Sequence, residues 1–224
     1  MGRSWVPPYA AVMFDLDGTL VDTMAAFADL AALVMVGHHG ADLADARVRY
    51  LETSGIPFCK QLEVIYPAHP ANPAASSEFE ARKLAIAEAT VMDADTVAGL
   101  RGLRALGLEV IVSSNTGQAV VDEFVAREGF PFTLALGFDP ARDLAKGEPH
   151  VARVCRALAI GRERLLFVGD SLKDAELAAA SSIAFVGRLG TFDAAAFRAI
   201  APDAPTIANV AELPALLAGP AQAA

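Results

Sequence analysis

The sequence contains little cysteine and no long apolar run, and both absences exclude classes of protein. Cys59 and Cys155 are the only cysteines among 224 residues, and they are too few and too far apart for a disulfide framework or a cysteine metal site. No apolar run approaches the roughly 18 to 20 residues of a membrane-spanning helix. Residues 1–8 hold no apolar stretch of signal-peptide length. We therefore expect a soluble, cytoplasmic protein with no membrane partner.

Basic side chains are also scarce. The 18 lysines and arginines stand against 27 aspartates and glutamates, which gives a net charge of −9. Because phosphate backbones are bound through clustered basic side chains, this balance argues against a nucleic-acid partner. A small anionic substrate is still compatible with the charge, because it needs only a few local positive groups. Apolar residues make up 54% of the chain, which is enough for a sizeable core and excludes wholesale disorder.

Short apolar segments alternate with amphipathic stretches over most of the chain. Five segments have the length and the Val, Ile and Phe content of buried parallel strands: 11–16, 108–113, 134–138, 165–169 and 183–187. Between them, apolar residues recur at helical spacing over 96–107, 118–129, 149–159 and 172–180. This alternation predicts a doubly wound α/β fold with a parallel, Rossmann-like sheet.

One region breaks the alternation. Residues 22–95 contain no convincing strand and show helical patterning over 24–36, 41–54, 57–65 and 78–91. We expect Ser77 and Glu80 to form a capping box for the last of these helices. The stretch 66–77 holds three prolines and predicts a loop. We therefore predict an α/β core of residues 1–21 and 96–224, with an all-helical domain of residues 22–95 inserted into it.

Polar residues follow the predicted strands where ligands bind in such sheets, at the carboxyl ends. Asp15 and Asp17 follow the first strand, and the run SSNT at 113–116 follows the second. Lys146 lies in a loop before a helix, and Asp170 and Asp174 stand four residues apart at a helix start. Each feature alone has a simpler explanation, such as an Asp-Gly turn, helix capping or a solvated lysine. Their coincidence at one edge of the sheet is what indicates a site.

Four carboxylates in one cleft require neutralisation. Two unit charges about 4 Å apart repel by about 4 kcal/mol at an effective dielectric of about 20. The carboxylates are therefore either protonated or balanced by a cation, and Mg²⁺ prefers such oxygen ligands. A metal, a lysine, hydroxyls and helix N-termini together suit a phosphoryl group.

The motifs as a set resemble the haloacid dehalogenase-like superfamily. The run FDLDGTLVDT at 14–23 matches its first motif almost letter for letter. Ser113, Lys146 and the run VGDSLKD at 168–174 are similar to its second, third and fourth motifs, in the same order. The helical block resembles the substrate-selecting cap of the phosphoglycolate phosphatase and β-phosphoglucomutase branch. The resemblance covers about residues 10–190 and implies a phosphotransfer core with an inserted helical cap.

The resemblance assigns a catalytic role to three residues. It implies that Asp15 is the nucleophile, which attacks phosphorus to form an aspartyl-phosphate. Asp17 is then the general acid for the leaving alcohol and afterwards the general base for the hydrolytic water. Lys146 offsets the charge between nucleophile and substrate.

The resemblance also implies a metal and a phosphate site. Mg²⁺ is expected on the Asp15 carboxylate, the backbone carbonyl of Asp17 and Asp170, with Asp174 binding directly or through water. The expected phosphate contacts are Ser113, Ser114, Asn115, Gly18 and Lys146. Either Ser113 or Ser114 could be the second-motif residue, since a one-residue slip exchanges them. Whether His150, four residues after Lys146, faces the cleft also stays open.

Asp17 and the cap sequence limit the classes of reaction that the protein could catalyse. The dehalogenase branch lacks an acid two residues after its nucleophile, so Asp17 favours a phosphoric monoester hydrolase. The alternative is a sugar-phosphate mutase, but the cap turn ETSGIPFCK at 52–60 lacks the arginine-bearing pattern expected of one. A non-catalytic binding module would be expected to have lost one of the motif residues.

The substrate and the assembly are defined only broadly. Residues 22–95 carry 5 basic and 11 acidic side chains, a net charge of −6, which disfavours a polyanionic substrate. We expect a small phosphorylated metabolite, with Arg49, Thr53 and Lys60 as candidate specificity residues, and a monomer or homodimer.

Overall fold

The computed structural model describes residues 9–218, which divide into two compact units. One unit contains the chain up to Leu20 and from Met92 onward, and the other is Val21–Val91. The outer ends of the predicted core, residues 1–8 and 219–224, lie outside the described residues. The helices in chain order are α1 (Met24–His39), α2 (Leu43–Glu52), α3 (Phe58–Ile65), α4 (Asn72–Ala89), α5 (Ala94–Ala105), α6 (Gln118–Glu128), α7 (Glu148–Leu158), α8 (Leu172–Ala180), α9 (Ala194–Ile200) and α10 (Leu213–Leu217).

The first unit is built on one parallel sheet. Its strands are β1 (Ala11–Phe14), β2 (Glu109–Gly117), β3 (Leu134–Phe138), β4 (Leu165–Gly169), β5 (Ala184–Arg188) and β6 (Thr206–Ile207). They follow the order β3-β2-β1-β4-β5-β6, and every neighbouring pair is parallel. Phe14 at the end of β1 lies opposite Val112 of β2 and Val168 of β4. The winding direction therefore reverses beside β1, which is where such sheets bind ligands.

Apolar residues of the strands and helices bury one continuous core in this unit. Met13, Ile111 and Phe167 from three adjacent strands pack with Val154 of α7 and Phe197 of α9. Strand residues here are buried on both faces of the sheet, which explains why the predicted strands are nearly uninterrupted apolar runs. The predicted α/β fold with a doubly wound parallel sheet is confirmed.

The second unit contains the four helices α1 to α4, joined by loops, and no strand among its described residues. Its core contains Phe27, Met35, Phe58, Leu62 and Phe79, which are all at most 2% exposed. The Phe58 and Phe79 ring centroids lie 4.2 Å apart. A helical block inserted after the first strand is therefore present, as predicted.

One predicted boundary in this unit is wrong. Helix α4 begins at Asn72, inside the stretch predicted as a loop, so Ser77 lies within the helix and does not cap it. The reason is that Pro73 occupies the first turn, where a proline needs no N–H partner and does not disrupt the helix. Burial of Ala75 and Phe79 then stabilises the early turns.

Candidate active site

Asp15 leaves the end of β1 at the centre of the sheet. Its backbone N–H still donates to the Val168 carbonyl of β4 at 2.9 Å, so the position of Asp15 is fixed by the sheet. The Leu16 N–H donates to Oδ1 of Asp15 at 2.8 Å and orients the carboxylate. Gly18 follows with a φ of 82°, a left-handed conformation that favours glycine and turns the chain away from the strand.

Three carboxylates from two strand ends meet around one lysine. Each of Asp15, Asp170 and Asp174 offers an oxygen, and these oxygens lie within 4.8 Å of one another. Lys146 Nζ lies 2.8 Å from Oδ2 of Asp15 and 2.7 Å from Oδ1 of Asp174. The four side chains are almost wholly buried, with Lys146 only 3% exposed. The predicted residues that follow β1 and β4, that of α8 and that of the loop before α7 therefore converge on one point.

The start of α8 holds the two acids of the fourth motif. Ser171 and Asp174 form a capping box, in which the Ser171 hydroxyl accepts from the Asp174 N–H at 3.1 Å and the Ser171 N–H donates to Oδ2 of Asp174 at 3.2 Å. The Ser171 hydroxyl also donates to Oδ2 of Asp174 at 2.7 Å. Asp174 therefore both caps α8 and belongs to the carboxylate cluster. A Cβ on Gly169 would meet the Asp174 side chain at 2.5 Å, so this close approach requires glycine. Asp170 accepts hydrogen bonds from the hydroxyls of Thr19 and Thr191.

Burial and mutual repulsion change the proton affinities of these groups. Burial, together with the charges of Asp174 and Asp170, raises the pKa of Asp15 well above its usual value, although Lys146 opposes the shift. Burial and the charge of Asp174 raise the pKa of Asp170 to about 7. Burial alone lowers the pKa of Lys146, but its ion pairs with Asp15 and Asp174 outweigh this and raise it, so the lysine is charged.

The donor set fits a hard divalent cation. Three carboxylates and one lysine have a formal charge of −2 when all are ionised, and the excess is buried. A cation with oxygen ligands removes that excess, and carboxylate oxygens are the ligands that Mg²⁺ prefers. The cluster could therefore bind a metal ion.

The end of β2 carries the second group of polar residues. The Ser113 hydroxyl is fully buried and lies 2.9 Å from Nδ1 of His150, while the Ser114 hydroxyl accepts from the Thr116 N–H at 3.0 Å. The Thr116 hydroxyl donates to Oδ2 of Asp17 at 2.8 Å, and Asp17 is half-buried. Asn115 is also half-buried at this end of the strand.

The three candidate specificity residues lie in the helical unit, and two of them bind other residues of that unit. Arg49 Nε donates to Oδ2 of Asp45 at 2.8 Å. The Thr53 hydroxyl contacts the Arg49 carbonyl at 2.7 Å and Oε1 of Gln61 at 2.9 Å. Lys60 is exposed in the first turn of α3.

Sequence reasoning missed several partners of the site. Thr116 was noted only as part of the SSNT run, Thr191 was not singled out, and the side-chain contact of His150 was left open. His150 carries the one available signal, because it is a polar residue at a position of α7 that faces the core together with Val151 and Val154. No local pattern marks Thr191, which reaches Asp170 across 21 residues of chain.

Known proteins resemble this chain in sequence. A family model for haloacid dehalogenase-like hydrolases matches residues 9–181. A phosphoglycolate phosphatase of Rhodobacter capsulatus is 26% identical over 184 residues, which cover 79% of this chain and 82% of that protein. Among the described residues, no helix is both long enough and apolar enough to cross a membrane.

Solved structures resemble it in fold. A haloacid dehalogenase-like family protein of Streptococcus pneumoniae has a TM-score of 0.78 at 17% identity, over 93% of this chain and 98% of its own. A predicted phosphoglycolate phosphatase of Haemophilus somnus has a TM-score of 0.66 at 19% identity, over 93% of this chain and 98% of its own. Since the family model also spans most of the chain and its four motifs, the protein belongs to the haloacid dehalogenase-like hydrolase family.

Proposed function

We propose that the protein is a Mg²⁺-dependent phosphatase that hydrolyses a small phosphorylated metabolite through an aspartyl-phosphate on Asp15. The observation that carries this proposal is the buried lysine between two carboxylates, with Nζ at 2.8 Å from Asp15 and 2.7 Å from Asp174. A carboxylate that approaches a phosphate dianion meets like-charge repulsion, and a fixed cation beside the nucleophile reduces it. The name of the Rhodobacter capsulatus relative makes 2-phosphoglycolate the first substrate to test.

Asp15 is the nucleophile in this proposal. The Leu16 N–H and Lys146 Nζ hold its two carboxylate oxygens, which fixes the direction of attack on phosphorus. Attack forms a bond from a carboxylate oxygen to phosphorus and breaks the bond from phosphorus to the ester oxygen. Lys146 stays protonated and balances the negative charge.

Asp17 transfers the protons. Its half-buried side chain accepts from the Thr116 hydroxyl, which holds the carboxyl group at the end of β2. It gives a proton to the departing ester oxygen and then takes one from the water that hydrolyses the aspartyl-phosphate. The acid therefore returns to its starting protonation state after each turnover.

Asp15 and Asp170 would hold the metal, with the backbone carbonyl of Asp17 as a further oxygen ligand and Asp174 as a direct or water-mediated partner. When bound, Mg²⁺ supplies positive charge next to the phosphoryl oxygens. The raised pKa of Asp170 supports this assignment, because it reports an acid whose negative charge lacks compensation.

Specificity in this proposal comes from the helical unit, residues 21–91. Its turn between α2 and α3 contains Thr53 and leads to Lys60, while Arg49 precedes it on α2. Lys60 is exposed, so its charge is available to a substrate anion.

The test is phosphate release from 4-nitrophenyl phosphate and from 2-phosphoglycolate, with Mg²⁺ and with EDTA. We expect release with Mg²⁺ only. Asp15→Asn, which is nearly isosteric, should lower kcat by roughly three orders of magnitude or more while the protein stays folded. Asp203→Asn is the matched control, because Asp203 is exposed in the loop before β6.

Two outcomes would contradict the proposal. Turnover of Asp15→Asn at the wild-type rate would exclude Asp15 as nucleophile. Little phosphate release, together with sugar-phosphate isomerisation stimulated by a bisphosphorylated sugar, would identify a mutase instead.

A further inference from the structure

His150 joins three elements behind the phosphate end of the proposed site. It is the third residue of α7 and is fully buried. Its Nδ1 lies 2.9 Å from the Ser113 hydroxyl of β2, and its Nε2 lies 3.1 Å from the Gly137 carbonyl of β3. Both ring nitrogens therefore have partners.

The Gly137 carbonyl determines where the ring carries its proton. A carbonyl oxygen only accepts hydrogen bonds, so Nε2 must be the nitrogen that bears hydrogen. Gly137 is also fixed in place, because its N–H donates to Oε1 of Gln118 and a Cβ would meet the Gln118 backbone at 2.7 Å. Burial and the nearby charge of Lys146 lower the pKa of His150 to about 4, so the ring is neutral at pH 7.

A neutral ring determines the direction of the Ser113 hydroxyl. With hydrogen on Nε2, Nδ1 presents a lone pair, so the Ser113 hydroxyl donates its only proton to His150. A phosphoryl dianion also only accepts. In this state Ser113 has no proton left for the phosphoryl oxygen that the second motif is expected to bind.

We propose that His150 is a positioning residue that sets the direction of the Ser113 O–H bond, and that binding of a phosphoryl dianion brings one proton from solvent onto Nδ1 of His150. The inference rests on the proposed function, which places the phosphoryl group beside Ser113. The doubly protonated ring donates from Nδ1 to Ser113 and from Nε2 to Gly137. The Ser113 hydroxyl rotates, so that its hydrogen turns from His150 to the phosphoryl oxygen. The only covalent bond that breaks is the one between the transferred proton and its solvent donor.

The charges around the ring allow this uptake. Lys146 is the charged group among the described residues that acts on His150, while β2 and β3 contribute a neutral hydroxyl and a carbonyl. Asp15 and Asp174 already pair with Lys146. A dianion about 6 Å from the ring, at an effective dielectric of about 20, raises the proton affinity of the ring on the order of ten-thousandfold, and the Mg²⁺ proposed for the same site opposes part of this rise.

The test is calorimetric binding of tungstate, a tetrahedral dianion that carries no proton between pH 7 and 8.5, to the full chain in saturating Mg²⁺. Buffers of different ionisation enthalpy give the number of protons taken up. In His150→Asn the side-chain amide can turn its NH₂ group toward Ser113 and needs no proton from solvent. We expect wild type to take up a larger fraction of a proton than this variant at pH 7, and the excess to shrink toward pH 8.5. The affinity of wild type should also fall more steeply with pH than that of the variant, by up to about tenfold per pH unit.

Ser113→Ala provides the second variant, because it keeps His150 and removes the hydroxyl. It should take up a smaller fraction of a proton than wild type, because a buried Nδ1–H on His150 then lacks its acceptor, and it decides the question if His150→Asn does not fold. Equal uptake in wild type and either folded variant would overturn the role of His150, even if the protein hydrolyses phosphate esters. Absence of tungstate binding to wild type would instead overturn the proposed function together with this inference.

Discussion

Replacement of Asp170 by asparagine removes one buried negative charge at nearly constant shape. The pKa of Asp170 is raised from 3.8 to about 7, first by burial and then by Asp174. The folded metal-free protein therefore binds more protons than the unfolded chain between about pH 4 and pH 7. Because stability falls with rising pH wherever the folded state binds more protons, Asp170 destabilises the metal-free protein increasingly up to about pH 7.

The size of the effect follows from that shift. About three pKa units at about 1.4 kcal/mol each give about 4 kcal/mol of destabilisation above pH 8, and almost none at pH 4. Asparagine keeps an oxygen acceptor for one threonine hydroxyl, and the other hydroxyl can turn to accept from the new amide. The lost hydrogen-bond strength should then cost about 1 kcal/mol.

Thermal unfolding of wild type and Asp170→Asn in EDTA, between pH 4 and pH 8, measures this destabilisation. We expect Asp170→Asn to melt above wild type at pH 8, by roughly 6 to 12 °C for a net gain of about 3 kcal/mol. The difference should disappear toward pH 4. Added Mg²⁺ should stabilise wild type much more than the variant, because the variant lacks one carboxylate ligand.

Asp203→Asn makes the same chemical change at an exposed position and should leave the melting curve unchanged. If metal-free Asp170→Asn melts at or below the wild-type temperature at pH 8, the carboxylate cluster is not a site of uncompensated charge. The argument for a cation there would then lose its physical basis.

Two further changes probe the proposed catalytic charge and the proposed specificity residue. Lys146→Met keeps the volume of the side chain but leaves Asp15 and Asp174 buried without their cation. It should lower the free energy of unfolding at pH 7.5, measured by urea unfolding, by about 3 to 5 kcal/mol. It should also abolish turnover, measured by phosphate release. Unchanged stability would mean that the lysine carries no such role. Lys60→Ala should raise KM for the preferred metabolite about tenfold and leave KM for 4-nitrophenyl phosphate unchanged; equal effects on both substrates would remove Lys60 from the specificity site.

Most of the fold could be predicted from the sequence, because the patterns that mark its strands and helices are local. β3 and β4 have the predicted bounds of 134–138 and 165–169, since buried parallel strands are short apolar runs bounded by polar residues. The β6 strand was missed because two residues carry no periodicity. The start of α4 was misplaced because prolines were taken as loop signals, although a proline in the first helical turn is tolerated.

The proximity of the acidic residues of the site could be predicted for a related reason. Parallel strands end at one edge of the sheet, so residues that directly follow β1 and β4 must lie near one another. The direction of a hydroxyl has no such local rule. The Ser113 proton is directed by His150 and Gly137, which come from α7 and β3, and the contact exists only once all three elements pack.

The central position of β1 has a consequence for how the chain folds during synthesis. β1 leaves the ribosome before its second neighbour, β4, which ends 155 residues after Phe14, at Gly169. At about 5 to 20 residues per second, this apolar strand lacks one partner for roughly 8 to 30 s. Early pairing of β1 with β2 leaves the other edge of β1 apolar and unpaired during that time. We therefore expect chains that end before β4 to depend on chaperones more than the full chain does.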